Sequence, residues 1–154
     1  MIIYRISSAR YPANNGAGAS LYGGRWNHRG TPVIYAAASR ALCALEILAN
    51  AGELAGDYTA TSIEIPDDLP MTAVSADDLP PDWNAGTPTN TTRDMGNEWA
   101  EGLSTAALSV PSAVIPSERN YILNPRHPDF QRIQFGAPER FLFDERLNPA
   151  LRRN

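Results

Sequence analysis

The stretch that decides the fold is Pro32-Val33-Ile34-Tyr35-Ala36, followed from Ser39 by Arg40-Ala41-Leu42-Cys43-Ala44-Leu45-Glu46-Ile47-Leu48-Ala49-Asn50-Ala51. Its first part is a short apolar run that predicts a strand. Ser39 then caps a helix over residues 40–51, which Gly52 stops. A strand leading into a helix suits either a doubly wound parallel sheet or an α+β sheet, and the rest of the chain separates the two. Towards the N-terminus, residues 2–7 predict a strand and 12–19 a loop dense in turn formers. Gly23-Gly24-Arg25-Trp26-Asn27-His28-Arg29-Gly30 reads as a loop and turn. Towards the C-terminus, strands are predicted at 58–65, 107–110, 112–115, 121–123 and 140–143, with a helical turn at 127–132. A helix capped by Thr91 or Thr92 runs to about Leu103, with Met95, Trp99 and Leu103 on one face. Residues 66–92 form a Pro-rich, irregular excursion with at most short strands. Its two copies of Asp-Asp-Leu-Pro are too short to mark a structural repeat. Strands outnumber helices and do not alternate with them, which argues for an α+β mixed sheet with a few helices.

The length of 154 residues suits a single domain over 1–154, burying about 70% of its unfolded surface. The 13 basic residues, all Arg, face 17 acidic ones for a net charge of −4. An acidic chain lacks the electrostatic footprint of a nucleic-acid binder, so no direct nucleic-acid partner is expected. The absence of Lys excludes Schiff-base chemistry and a Walker-type phosphate loop. The single cysteine, Cys43, permits no internal disulfide, and with only His28 and His127 beside it no metal site is expected. No apolar run approaches the ~20 residues of a membrane span and no signal peptide is evident; the expected location is the cytoplasm, away from membranes.

Glu46 is the most informative oddity. With Leu42 at zero and 100° per residue, Leu45, Leu48, Ala49 and Ala41 lie between about 240° and 340°, and Cys43 and Ile47 near 100° and 140°. Glu46 falls at about 40°, on the edge of the main apolar arc, with no cation one turn away on its own helix. Either it points into solvent from a rim, or it lines a pocket and needs a distant partner. Arg25 sits behind two glycines that let backbone approach a ligand, and its guanidinium suits phosphate or carboxylate; the plain alternative is a surface Arg in a hairpin loop. Tyr35 ends an apolar strand, as a core residue or a stacking surface. Ser117 follows Pro116 as a turn residue, with no base nearby to make it a nucleophile.

These residues together resemble a known family, the RES-domain toxins of bacterial toxin–antitoxin pairs, named for an Arg, a Glu and a Ser. The likeness rests on Gly23-Gly24-Arg25-Trp26-Asn27, Gly30-Thr31-Pro32-Val33-Ile34-Tyr35, Ala41-Leu42-Cys43-Ala44-Leu45-Glu46, Pro116-Ser117-Glu118-Arg119-Asn120-Tyr121-Ile122-Leu123-Asn124-Pro125 and His127-Pro128-Asp129-Phe130. It runs in order over nearly the whole chain and is weakest in the Pro-rich middle. The resemblance implies an ADP-ribosyltransferase-like fold and cleavage of the nicotinamide–ribose bond of NAD+, a substrate rather than a cofactor. ADP-ribose would pass to water, to phosphate or, in an alternative, to a protein; a further alternative is a non-catalytic NAD- or antitoxin-binding module. The implied catalytic residues are Glu46, Arg25 and Tyr35, with Arg25, Tyr35, Ser117 and Asn120 binding substrate. The plain structural alternative is that Arg25 and Glu46 pair with each other in the empty pocket, which would resolve the burial of Glu46 without a ligand. The implied partner is an antitoxin with an Xre-like DNA-binding part that blocks the pocket, with room for a homodimer within that complex.

Overall fold

The mixed apolar and polar run Ile2-Ile3-Tyr4-Arg5-Ile6 forms strand β1 (Ile2–Ser8) in the computed structural model, which describes residues 1–51 and 54–148. Seven further strands follow: β2 (Ile34–Ala37), β3 (Tyr58–Glu64), β4 (Met71–Ala73), β5 (Ala107–Pro111), β6 (Arg119–Leu123), β7 (Gln134–Phe135) and β8 (Glu139–Phe141). They form one sheet in the order β4-β5-β6-β2-β1-β3-β7, with β8 also pairing to β3. Only β4 and β5 run parallel; the other pairs are antiparallel. The helices are α1 (Ala17–Tyr22), α2 (Arg40–Asn50) and α3 (Asn90–Glu101). The α+β class expected from the element pattern is the one observed.

The sheet has a seam. β1 and β3 match over seven residue pairs, and β2 and β6 over four, but β1 and β2 meet only at Tyr4 and Ala37. Three apolar clusters form the core, and the first two below bridge the seam. Ile3, Ile34, Ile63 and Leu123 make a core that draws on both sides of the seam. Leu42 and Cys43 of α2 pack on Ile6, Ala37 and Ala60. Trp99 and Ala100 of α3 pack on Trp26, Leu108 and Ile122. Burial of this kind stabilises by roughly 25 cal/mol per Å² of apolar surface.

Several boundaries differ from the sequence expectation. The loop predicted for 12–19 gives way to α1 from Ala17. Gly16 takes a left-handed φ of 64°, and Asn15 Oδ1 accepts the Ala17 N–H at 3.0 Å. A six-residue helix containing Gly18 carries too little periodicity to be read. Helix α3 starts earlier than either threonine cap implied, with Thr89 at the N-cap. Its apolar face ends at Trp99, because Leu103 lies past the helix with φ 52° and is exposed. The strand expected at 112–115 is absent. There Ser112 Oγ accepts the N–H groups of Val114 and Ile115 at 3.1 and 3.0 Å and curls the chain out of the sheet. Ser39 caps α2 as expected, its Oγ accepting the Leu42 N–H at 3.1 Å. The Gly52 stop lies outside the described residues.

Helix α3 carries a glycine in its middle. A Cβ on Gly96 would lie 1.7 Å from the carbonyl oxygen of Trp26, so the helix and the 24–31 loop touch backbone to backbone there. Helix propensity favours Gly96→Ala by ~1 kcal/mol. The clash is with backbone and should win, for a net loss of about 1–3 kcal/mol. Urea unfolding checks the sign: a Gly96→Ala protein as stable as the parent would mean that the loop yields at little cost.

Candidate active site

A cavity of about 470 Å³ opens at the seam, with Arg5 and Ile6 of β1 on one side and Tyr35, Ala36 and Ala37 of β2 on the other. Arg5 spans the gap: its Nη1 donates to the Tyr35 carbonyl at 2.9 Å, where a longer strand ladder would have supplied a backbone N–H. Glu46 and Ile47 of α2, Gly24 and Arg25 of the glycine loop, Arg93 of α3 and Asn120 of β6 complete the walls.

Glu46 enters this cavity because α2 turns the opposite face inward from the one its main apolar arc suggested. Leu42 and Cys43 are buried, whereas Ala41, Leu45 and Ala49 are exposed. The inward arc thus runs from Leu42 to Ile47, and Glu46 at about 40° lies within it. Its Oε1 accepts two short hydrogen bonds, from Ser112 Oγ at 2.7 Å and from Asn120 Nδ2 at 2.6 Å. Ser112 is fully buried, and the two backbone N–H groups it accepts orient its own hydroxyl toward Glu46. No ion pair among the described residues joins Glu46 to an arginine. The alternative in which Arg25 and Glu46 pair directly is therefore not the arrangement seen, although the two attract across the cavity.

Arg25 is held elsewhere. Nη1 donates to the Trp83 carbonyl at 2.9 Å and Nη2 to the Ala85 carbonyl at 2.8 Å, both in the Pro-rich excursion. Two carbonyls fix the plane of the guanidinium without neutralising it. The loop behind Arg25 is fastened to the Tyr35 hydroxyl, which accepts the Trp26 N–H at 3.0 Å and donates to Asn27 Oδ1 at 2.6 Å. Asn27, fully buried, donates to the carbonyls of Ala19, His28 and Thr31. Gly24 leaves space for this hydroxyl, since a Cβ there would lie 2.6 Å from it. Helix α3 grips the loop from outside. Arg93 Nε donates to the Gly24 carbonyl at 3.2 Å, Asn97 accepts the His28 N–H at 2.9 Å, and His28 Nε2 meets Asp94 at 2.6 Å.

Three guanidiniums and one carboxylate thus line the cavity of a chain whose net charge is −4. Burial lowers the pKa of Arg5, and burial lowers that of Arg25 against the opposing pull of Glu46. Both values start so high that the groups stay cationic at neutral pH. Burial raises the Tyr35 hydroxyl above its ordinary range, which removes it as a proton acceptor near pH 7. Burial likewise pushes the Cys43 thiol up to about 11, and its Sγ donates to the Tyr4 carbonyl at 3.0 Å. The arrangement suits a polyanion carrying a centre that becomes positive.

Of the residues singled out in the sequence, Arg25, Tyr35, Glu46 and Asn120 meet at this cavity. Ser117 does not. It is exposed at the third position of a turn closed by the Glu118 N–H on the Ile115 carbonyl at 2.9 Å, with Pro116 before it. The serine joined to Glu46 is Ser112, whose place directly after β5 carries it beneath α2. Asn120 contacts Glu46 rather than facing the cavity alone, and its Oδ1 and the Arg5 Nε are buried without a protein partner. Sequence reading missed Arg5, Arg93 and Ser112. An Arg placed beside the apolar positions of β1 was the available signal for the first.

The Tyr35 hydroxyl serves two buried partners, so Tyr35→Phe should destabilise the chain by about 1–3 kcal/mol while keeping the ring. Urea denaturation measures this, and an unchanged midpoint would show that the loop is held without the hydroxyl.

Comparison with known proteins places the chain in a family. Residues 2–144 match the RES domain. The chain is 41% identical over 153 residues to "Toxin Res" of Photorhabdus laumondii, covering 92% of this chain and 97% of that one. It is 39% identical over 137 residues to a "Prs ADP-ribosylating toxin" of a Sphingobium species, covering 86% and 85%. Its fold is shared with a chain of the Mycobacterium tuberculosis MbcT–MbcA toxin–antitoxin complex, at TM-score 0.76 and 22% identity over 91% of this chain and 83% of that one. A match across nearly the whole length, joined to close relatives of similar size, means that this chain belongs to the RES-domain family.

Proposed function

We propose that this protein is the toxin of a toxin–antitoxin pair and that it cleaves the nicotinamide–ribose bond of NAD+, passing ADP-ribose to water or phosphate. The observation that carries the reading is a single carboxylate, Glu46, fixed by Ser112 and Asn120 in a cavity that also presents Arg5, Arg25 and Arg93. The names of the relatives and the toxin–antitoxin setting of the structural match support it. NAD+ is the substrate, and the reading needs no further cofactor.

The leaving group is a pyridinium, so nicotinamide departs neutral as the bond pair moves to its nitrogen, and no general acid is needed. Positive charge develops on the ribose, as in glycoside cleavage. Glu46 stabilises that charge; a preorganised group of this kind is commonly worth ~3–4 kcal/mol. Arg25, with Arg5 and Arg93, holds the pyrophosphate, and Tyr35 flanks the nicotinamide ring. The acceptor oxygen then bonds to the anomeric carbon and loses its proton to solvent. Ser112 and Asn120 keep Glu46 in place. The partner is an antitoxin with an Xre-like DNA-binding part, seated over the cavity in the cytoplasm.

A second reading has one specific support, the "Prs ADP-ribosylating toxin" named among the relatives: the same cavity would transfer ADP-ribose to a protein.

Purified chain incubated with NAD+ should release nicotinamide, and Glu46→Gln should lower that rate at least ~100-fold with an unchanged melting temperature. Free ADP-ribose, or its 1-phosphate when phosphate is present, supports the first reading; label retained on a protein supports the second. No nicotinamide from the parent chain overturns both. Arg25→Ala should raise the KM for NAD+ about 30-fold, for ~2 kcal/mol of lost charged hydrogen bonding. A native KM in that variant would give Arg25 a role in holding the 83–85 segment alone.

A further inference from the structure

One part of the cavity has no place in the chemistry at the nicotinamide end. Tyr22, the last residue of α1, lines the cavity yet is 67% exposed. Among the described residues no ring stacks on it and no side chain bonds its hydroxyl. An exposed aromatic residue is ordinary in itself. Its position is not, because the cavity presents two aromatic residues of opposite character. Tyr35 is tied down by its hydroxyl against the glycine loop, and Tyr22, just before that loop in sequence, is open to solvent. Gly23, next in sequence with φ 72°, and Gly24 carry the backbone from Tyr22 to Arg25. Cavity-lining guanidiniums therefore accompany an inner and an outer aromatic ring, and a dinucleotide has the matching composition of two flat bases joined by a pyrophosphate.

We propose that Tyr22 is the stacking platform for the second base of the dinucleotide, the adenine of NAD+, and so sets the preference for dinucleotide over mononucleotide. The inference rests on the NAD+-cleaving reading and adds a binding residue to it. Stacking tolerates any flat base and needs no hydrogen bond from the ring hydroxyl, in keeping with a tyrosine whose hydroxyl is unengaged. Nicotinamide departs at the other end of the substrate, so the platform acts on binding and leaves the bond-breaking step alone.

Nicotinamide release from NAD+ and from nicotinamide mononucleotide, measured for the parent, Tyr22→Ala, Tyr22→Phe and Tyr22→Trp, tests this. Tyr22→Ala should raise the KM for NAD+ by about tenfold or more, with kcat unchanged, as expected for the loss of one base–aromatic stack. The Phe and Trp variants should retain the parental KM. Turnover of the mononucleotide, which lacks the second base, should be the same in the parent and Tyr22→Ala, at whatever level the parent shows. The inference is overturned if the KM for NAD+ is unchanged in Tyr22→Ala, if both substrates suffer equally, or if Phe and Trp fail to rescue. A parent that cleaves NAD+ alongside an unaffected Tyr22→Ala removes only the platform. A parent that releases no nicotinamide removes the functional reading and the platform with it.

Discussion

A carboxylate set among three guanidiniums, yet held by a serine and an asparagine, is the constraint around which this chain is arranged. An ion pair with Arg25 would have been the simplest way to stabilise Glu46, and it would have neutralised both groups. Instead, Oε1 takes hydrogen bonds at 2.7 and 2.6 Å from Ser112 and Asn120, which fix its position without bringing a cation against it. Arg25 is oriented by the carbonyls of Trp83 and Ala85, which likewise leave its charge intact. Opposite charges kept apart by neutral hydrogen-bond partners remain available to a ligand.

The rest of the fold maintains that separation. The seam between β1 and β2 is what makes room for a cavity inside a continuous sheet, and Arg5 closes the ladder that the seam interrupts. The glycine loop is fastened from three directions: by the Tyr35 hydroxyl within, by α3 outside, and through Arg25 to the Pro-rich excursion. Each attachment joins partly buried polar groups, so movement of one strand or helix would break a hydrogen bond. A loop fixed in this way holds its charged residue to the tolerance that binding a polyanion requires.

How much of this was legible in the sequence depended on whether the signal was local. The Ser39 cap and the 40–51 helix followed from capping and periodicity, and the strand count gave the class. Glu46 stood out because its helix places no cation one turn away from it. Its orientation was not legible, since a helix apolar on both sides does not say which side the sheet will cover; Leu45 ended exposed and Leu42 buried. Ser117 was singled out through the family resemblance alone, whereas a serine curling the chain after a strand, as Ser112 does, gives no local signal in sequence. The role of Arg93 came only with the packing of α3. Gly96 was a hint that went unread: a glycine in mid-helix costs stability unless another backbone needs the space, and here Trp26 does.

Membership of the RES-domain family accounts for the likeness in sequence, and the cavity supplies a physical reason for the chemistry proposed. That account is tested most directly by a crystal structure of the Glu46→Gln chain with NAD+ bound. The account predicts the nicotinamide-bearing ribose against residue 46 and the pyrophosphate within hydrogen-bond distance of Arg25 and Arg5. NAD+ bound away from the seam, or with its pyrophosphate turned from those guanidiniums, would contradict it.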